Sequence, residues 1–327
     1  MPPPTEAVLR ILCSDAEAPH LGQALAQAPF AWRLQRPGEA FDLAFISRDI
    51  TGRSTKFEVA PETAVYYDAL RGNAALRWVH VHSAGADRQI YLDLHARGVA
   101  ITTSQGASDA VVAQTALAGL LSLARKLPEL ARQQREHRWQ PLMGPRTPRD
   151  LAGQRAVIVG WGGIGQRIGA SLRALGLSIT VVRRSGAPVP DAAQSLPYER
   201  LDEALPQADW LILACPLTPL TQNLISRQAL QRLPAHAMLI NVARGHVVDE
   251  TALAEHLAGG RLAGAFLDVF QHEPLPADSP LWDLPNTLIT PHSAAFSSGN
   301  ADRVREIFLD NLARLARGER LRNLVNA

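Results

Sequence analysis

Short apolar runs alternate with polar or helically patterned stretches along the first hundred residues. AVLRILCS (7–14), FDLAFIS (41–47), LRWVHVHS (76–83) and GVAITTS (98–104) read as strands. Between the last two, DRQIYLDLHARG places apolar residues at helical spacing and stops on a glycine. This alternation predicts a parallel sheet covered by helices on both faces. Residues 48–60 are polar, lack a clear period, and read as a loop. SDAVVAQTALAGLLSLARKL (108–127) opens on a Ser-Asp cap signal, is rich in Ala and Leu, and ends before Pro128. It predicts one long, mostly buried helix. QPLMGPRTPRDLAG (140–153) carries three prolines and two glycines and reads as an irregular connector.

From residue 155 the alternation sharpens. RAVIVG, SITVV, DWLILAC, HAMLINVA, RLAGAFLDVF and NTLIT read as strands, and IGQRIGASLRAL, ERLDEAL and TALAEHLAGG as helices. Near-continuous apolar strands signal burial on both faces. The last pattern, ADRVREIFLDNLARLARGE, sets Val304, Ile307, Phe308, Leu312 and Leu315 on one helical stripe. No internal repeat or low-complexity segment interrupts the pattern.

A chain of 327 residues calls for about two domains. Its 33 basic and 31 acidic side chains leave a formal charge of +2, which gives no reason to expect nucleic acid or a membrane surface as partner. Two distant cysteines, Cys13 and Cys215, make no disulfide framework and fit a reduced, cytoplasmic setting. The start, MPPPTEAVLR, lacks the pattern of a signal peptide. No apolar run reaches the roughly 18 residues that span a bilayer. His80, His82, His246, His256 and His272 form no metal-ligand spacing with the cysteines, so no metal is expected.

VIVGWGGIGQRIG contains Gly160-x-Gly162-x-x-Gly165 between a strand and a helix. Gly160 suits a tight turn, Gly162 lets backbone approach a pyrophosphate, and Gly165 lets helix and strand pack closely. The helix N-terminus adds unpaired N–H groups and a positive dipole. The second strand of such a unit ends where an adenosine ribose lies. In TVVRRSG, Arg183, Arg184 and Ser185 stand there, eighteen residues after Gly165, with no carboxylate until Asp191. A carboxylate binds the 2′-hydroxyl of NAD, whereas arginine attracts a 2′-phosphate. The expectation is NADP(H) preferred, with NAD(H) also accepted if the arginines are only a solvated strand end.

Three polar residues follow strand ends. Arg244 lies in NVARGHVVDE, Glu273 in GAFLDVFQHEP and His292 in TPHSAAF. Ligands bind at the carboxyl ends of strands in open α/β sheets, so the three can converge on one crevice.

These stretches complete a resemblance to the D-isomer-specific 2-hydroxyacid dehydrogenases. It rests on Val159–Gly165, the run Cys215-Pro-Leu-Thr-Pro-Leu-Thr221, Asn241–Gly245 with Val248-Asp249-Glu250, Gly264–Pro274, and Pro291-His292-Ser293-Ala294. The resemblance implies a Rossmann-type doubly wound parallel sheet inserted in a smaller flavodoxin-like α/β substrate domain. The substrate domain would comprise 1–104 and 295–327, and the dinucleotide domain 105–294. It also implies a homodimer, with helix 108–127 in the interface. Cofactor contacts are implied at Gly160, Gly162, Gly163, Ile164, Gly165, Cys215, Pro216, Thr221, Val242 and Ala294. Asp268 would either orient the nicotinamide or merely hold its strand end.

The implied reaction is reduction of a small 2-keto acid to the D-2-hydroxy acid. Hydride comes from the nicotinamide. His292 is the natural proton donor, and Glu273 stabilises its imidazolium. Arg244 binds the substrate carboxylate and polarises the keto oxygen. In HSAGAD, backbone N–H groups around Ala84 and Gly85 would hold the other carboxylate oxygen. Trp139 matches a region from which, in some hydroxypyruvate-reducing relatives, a tryptophan enters the neighbouring subunit's pocket. Gln114 replaces a frequent glutamate, and Glu273, rather than Gln, sets the chain apart from the related formate dehydrogenases. No regulatory extension of the kind some phosphoglycerate dehydrogenases carry follows, which favours glyoxylate or hydroxypyruvate as substrate. The alternatives are a cofactor-sensing, corepressor-like interaction protein and a phosphite-type dehydrogenase.

Overall fold

The computed structural model describes residues 8–52, 54 and 58–325. The chain divides into two compact units, Met1–Ser108 with Ser297–Ala327, and Asp109–Phe296.

The first unit runs β1 (Leu9–Leu12), α1 (Ala18–Leu25), β2 (Trp32–Gln35), β3 (Leu43–Ile46), α2 (Arg48–Thr51), α3 (Pro61–Gly72), β4 (Trp78–Val81), α4 (Gln89–Ala96) and β5 (Ala100–Thr103). Its five strands are all parallel, in the order β2-β1-β3-β4-β5, the flavodoxin-like order. Every residue of β3 and β4 is buried, because helices cover both faces. On one face Val79, Val81 and Ile101 pack with Tyr67 and Leu94. On the other, Ile11, Phe45 and Trp78 pack with Phe308 and Leu312. The latter two belong to the chain's last helix (Asn300–Ala316), whose apolar stripe is thereby buried in this unit. Phe308 stacks on Phe45 and Trp78 at ring separations of 4.7 and 5.3 Å. His80 sits in this core with its ring nitrogens on Thr102 and Ser104 hydroxyls, and burial pushes its pKa down to about 3.

Two local readings change here. The stretch 48–60 is not one loop: α2 forms a helical turn, and Ser54 donates its hydroxyl to Thr63 at 2.7 Å. Residues 53 and 55–57 lie outside the described residues. β2 went unread because it is an edge strand with no fully buried residue.

The second unit runs α5 (Asp109–Ala124), α6 (Leu127–Arg135), β6 (Arg155–Val159), α7 (Gly163–Ala174), β7 (Ser178–Val182), β8 (Gln194–Leu196), α8 (Leu201–Ala204), β9 (Trp210–Leu213), α9 (Arg227–Arg232), β10 (Met238–Asn241), α10 (Glu250–Ala258), β11 (Gly264–Leu267) and β12 (Thr287–Ile289). The closing helix of the first unit, already described, is α11. Seven parallel strands lie in the order β12-β11-β10-β9-β6-β7-β8. Counted from β6, this is the doubly wound dinucleotide-binding order extended by one strand. Its switch point falls between β6 and β9, where the glycine turn leaves the sheet.

The expected helix over 108–127 is α5, which ends at Ala124, and a second helix, α6, follows it. Lys126 takes a left-handed conformation (φ 53°), Pro128 occupies the first turn of α6, and the two axes differ by 67°. α5 buries Val112, Ala116, Leu120 and Leu123 but leaves Gln114, Ala118 and Leu121 exposed, so its apolar character continues onto its outer face. ERLDEAL forms only one α-turn, α8, flanked by 3-10 turns at Tyr198–Arg200 and Leu205–Gln207. No single helix among the described residues is long and apolar enough to cross a membrane.

Candidate active site

The glycine turn is built by close contacts. Gly160 has φ 99°, and a Cβ there would meet Cys215 N at 2.6 Å, where the chain leaves β9. A Cβ on Gly165 would strike the carbonyl oxygen of Gly160. These two glycines let the first turn of α7 lie against the strand ends. Gly162, the N-cap of α7, differs: a Cβ there would meet nothing within 4 Å. That open space, beside the unpaired N–H groups of a helix N-terminus, fits a pyrophosphate. Gly163 abuts the Asp109 carboxylate, and Ile164 is half-buried.

β7 ends at Val182. Arg183 donates its backbone N–H to Leu196 O at 2.9 Å, while its side-chain Nε is buried without a hydrogen-bond partner. Arg184 and Ser185 are exposed beside it. An unsatisfied guanidinium nitrogen next to an exposed arginine and a hydroxyl fits an anionic group at this strand end.

The ends of β10, β11 and β12 carry the polar trio. Asn241 closes the turn after β10, accepting from Ala243 N–H at 3.0 Å and donating to Arg244 O at 3.3 Å. Arg244 follows, half-buried, with Nη1 donating to Ala243 O at 2.7 Å. Next to it Gly245 lies flat on the Phe270–Gln271 peptide, which a Cβ would penetrate. That close approach brings the Glu273 turn to Arg244. Glu273 uses both carboxylate oxygens. Oε1 accepts from Phe270 N–H at 3.0 Å, and Oε2 meets His292 Nδ1 at 2.7 Å. Burial would raise the Glu273 carboxyl, but the His292 hydrogen bond and charge, the Phe270 N–H and the Arg244 guanidinium together hold it below its ordinary value.

His292 stands at φ 48°, in the left-handed region that side chains other than glycine rarely adopt. Asp268 stabilises that turn. Its carboxylate, 2% exposed, accepts from Thr290 Oγ1 (2.6 Å), Ser293 N–H (2.8 Å) and Ala294 N–H (3.1 Å), and its backbone oxygen accepts His292 N–H (2.9 Å). Burial raises the Asp268 carboxyl despite these donors.

A model of the D-isomer specific 2-hydroxyacid dehydrogenase NAD-binding domain matches residues 117–294, more than half of the chain. The chain belongs to the D-isomer-specific 2-hydroxyacid dehydrogenases. It is 34% identical over 77% of its length to a glyoxylate reductase of Korarchaeum cryptofilum, covering 76% of that protein. It is 34% identical over 79% of its length to a glyoxylate/hydroxypyruvate reductase B of Pectobacterium carotovorum, covering 82% of it. A solved family member from Xanthobacter autotrophicus, in complex with NADPH and MES, superposes with a TM-score of 0.76 at 28% identity, covering 98% of each chain. As a 2-hydroxyacid dehydrogenase the chain is an oxidoreductase with a nicotinamide-cofactor domain.

Against that family background, the structure places the expected cofactor contacts as follows. The Asp268 carboxylate hydrogen-bonds the His292 turn. Thr221 is fully buried, its hydroxyl donating to Pro216 O (2.6 Å) and accepting from Thr218 N–H (2.8 Å), so it shapes the 216–221 loop from inside. Ala294 is buried with its N–H on Asp268 and its carbonyl on Thr115 Oγ1 (3.3 Å). The Val242 side chain is packed in the core with Ile158 and Ile240. These three side chains are buried. The Cys215 thiol is buried, which pushes its pKa up to about 12 and rules out a thiolate nucleophile. Pro216 is exposed beyond it. In the first unit, Ala84 is exposed and Gly85 half-buried on the turn after β4, which the Ser83 hydroxyl fixes by donating to Gly85 O at 2.6 Å. Trp139 is 95% exposed. Among the described residues, no group of three His, Cys, Asp or Glu could hold a metal ion. Asn241 and Glu250, read from the sequence only as parts of family motifs and not as site residues, organise the two turns.

Proposed function

We propose that this protein reduces a small 2-keto acid of the glyoxylate or hydroxypyruvate kind to the D-2-hydroxy acid, with NADPH preferred over NADH. The observation that carries the reading is the His292 Nδ1–Glu273 Oε2 pair at 2.7 Å, on strand-end turns beside Arg244. Nδ1 is taken by the carboxylate, so Nε2 is the atom that delivers a proton to the substrate's keto oxygen. Glu273, ionised and fixed from its other oxygen, stabilises the imidazolium until that transfer. Arg244 binds the substrate carboxylate and polarises the carbonyl. A bound nicotinamide supplies the hydride to C2. The relatives named glyoxylate and hydroxypyruvate reductase support this substrate class.

NADPH preference draws support from Arg183, Arg184 and Ser185 at the end of β7, from the unpartnered Arg183 Nε, and from a relative solved with NADPH. Gly160, Gly162, Gly163, Ile164 and Gly165 would cradle the pyrophosphate, with backbone contacts from Cys215 and Pro216. The exposed apolar positions Leu121, Leu127, Trp139 and Met143 fit a homodimer built on α5, α6 and the connector after them.

The test is a panel. NADPH oxidation is followed with glyoxylate, hydroxypyruvate and pyruvate, and NADP reduction with phosphite. Turnover with a 2-keto acid and a kcat/KM ratio for NADPH over NADH above one support the reading. Phosphite-only turnover overturns the substrate class, and a ratio below one overturns the cofactor preference.

A further inference from the structure

Glu250 is the first residue of α10, after the N-cap Asp249, whose side chain accepts from Ala252 N–H. An acidic side chain there suits the helix dipole, but this one reaches across to another turn. Its Oε2 accepts Gln271 N–H at 2.9 Å. Gln271 in turn donates Nε2 to Val248 O at 2.8 Å. One residue earlier, Phe270 N–H is held by Glu273 Oε1 at 3.0 Å. Successive amides of one turn are therefore held by two different carboxylates. One belongs to the residue that grips His292, and the other comes from α10.

The other side of this turn is closed by Gly245, against which the Phe270–Gln271 peptide is packed. The turn cannot shift toward Gly245 without a backbone clash. It cannot shift away without breaking the Glu250 bond. Movement of the Gln271 amide would carry the Phe270 N–H with it, and so the Glu273 carboxylate.

We infer that Glu250 is a positioning residue for the reaction: it clamps the Phe270–Glu273 turn from α10 and so sets the Glu273 carboxylate on His292. This rests on the reading of Glu273 and His292 as the proton-handling pair.

The electrostatic setting fits a residue coupled to that pair. Glu250 lines a small cavity of about 10 Å³ with Gly245, Val248, Leu253, Leu267 and Val269. Burial raises its carboxyl, the Gln271 N–H and the facing His272 and His246 lower it, and Glu273 raises it again. The two carboxylates thus sense each other across the turn.

The experiment compares wild type, Glu250→Ala, Glu250→Gln and His292→Ala with glyoxylate or hydroxypyruvate and NADPH, measuring kcat, KM and the pH profile of kcat alongside Tm. Misplacing a catalytic group by about 1 Å costs up to about a hundredfold in rate. Glu250→Ala is expected to lower kcat by about ten- to a hundredfold, leave both KM values within about twofold, and alter the pH profile. Glu250→Gln keeps an oxygen for the Gln271 N–H and is expected to restore most of kcat. Should Glu250→Ala lower only Tm, with kcat and pH profile those of wild type, Glu250 is merely structural and the inference falls. A Gln variant with wild-type Tm that fails to restore kcat overturns it as well. Loss of activity in His292→Ala separates these outcomes from failure of the underlying reading; if His292→Ala stays fully active, both fall together.

Discussion

Replacing Asp268 with alanine tests how the strained His292 turn is kept. The side chain removed accepts three hydrogen bonds, from Thr290 Oγ1, Ser293 N–H and Ala294 N–H. Ala294 is 3% exposed, so its N–H has no access to water once the carboxylate is gone, and stranding it costs about 1–3 kcal/mol. Ser293 is half-buried and Thr290 can turn its hydroxyl, so the two together lose about 1–2 kcal/mol. Against this, burial disfavours the ionised Asp268, so its removal offsets part of that loss. The two losses sum to about 2–5 kcal/mol before that offset, which lowers Tm by up to about 20 °C in a unit of this size. The left-handed His292 conformation costs about 1–3 kcal/mol by itself. With its support removed, the turn relaxes and His292 leaves Glu273, so kcat should fall by about a hundredfold or more. Asp268→Asn keeps one acceptor oxygen and should lie between. Thermal unfolding and steady-state kinetics on both variants decide the matter. A Tm within about 1 °C of wild type together with kcat within about twofold would refute the claim that Asp268 supports this turn.

Further expectations concern the neighbouring parts. Gly245→Ala forces a Cβ into the Phe270–Gln271 peptide, an overpacking worth about 1–3 kcal/mol, visible as a lower Tm with a drop in kcat. Glu273→Gln should lower kcat about ten- to a hundredfold. The fold holds Glu273 below its ordinary carboxyl value. Its ionised form therefore adds stability above that value, and the contribution is lost as pH falls through the depressed one. Glu273→Gln should thus flatten the acid limb of a stability-against-pH curve. Arg183→Asp should reduce the NADPH to NADH ratio of kcat/KM at least about tenfold, since charge-assisted hydrogen bonds are worth about 1.5–3 kcal/mol. An unchanged ratio would leave the arginine as a solvated strand end.

The buried strands were legible because burial on both faces leaves only apolar residues, as in LAFI of β3 and WLIL of β9. The edge strands β2 and β8 escaped for the opposite reason. Each pairs on one side only, and WRLQ and QSL carry polar residues with no period. α6 is polar and begins on a proline turn, so its pattern resembles a connector. Arg244, Glu273 and His292 were readable as residues after strand ends. Whether a polar group faces a ligand or holds backbone was not. Thr221, Asp268 and Ala294 lie in cofactor-motif positions, and their polar groups also hydrogen-bond loops and turns. That distinction depends on which amide the fold brings beside each side chain, and no local spacing encodes it. The close fit of Gly245 on the Phe270–Gln271 peptide is of the same kind.

The most direct test of the account is kcat for NADPH-driven reduction of glyoxylate or hydroxypyruvate by wild type and His292→Ala, with Tm measured on both. The account predicts that the wild type turns over and that the folded variant loses about 10²–10⁴ in kcat. A folded His292→Ala protein with wild-type kcat would contradict it.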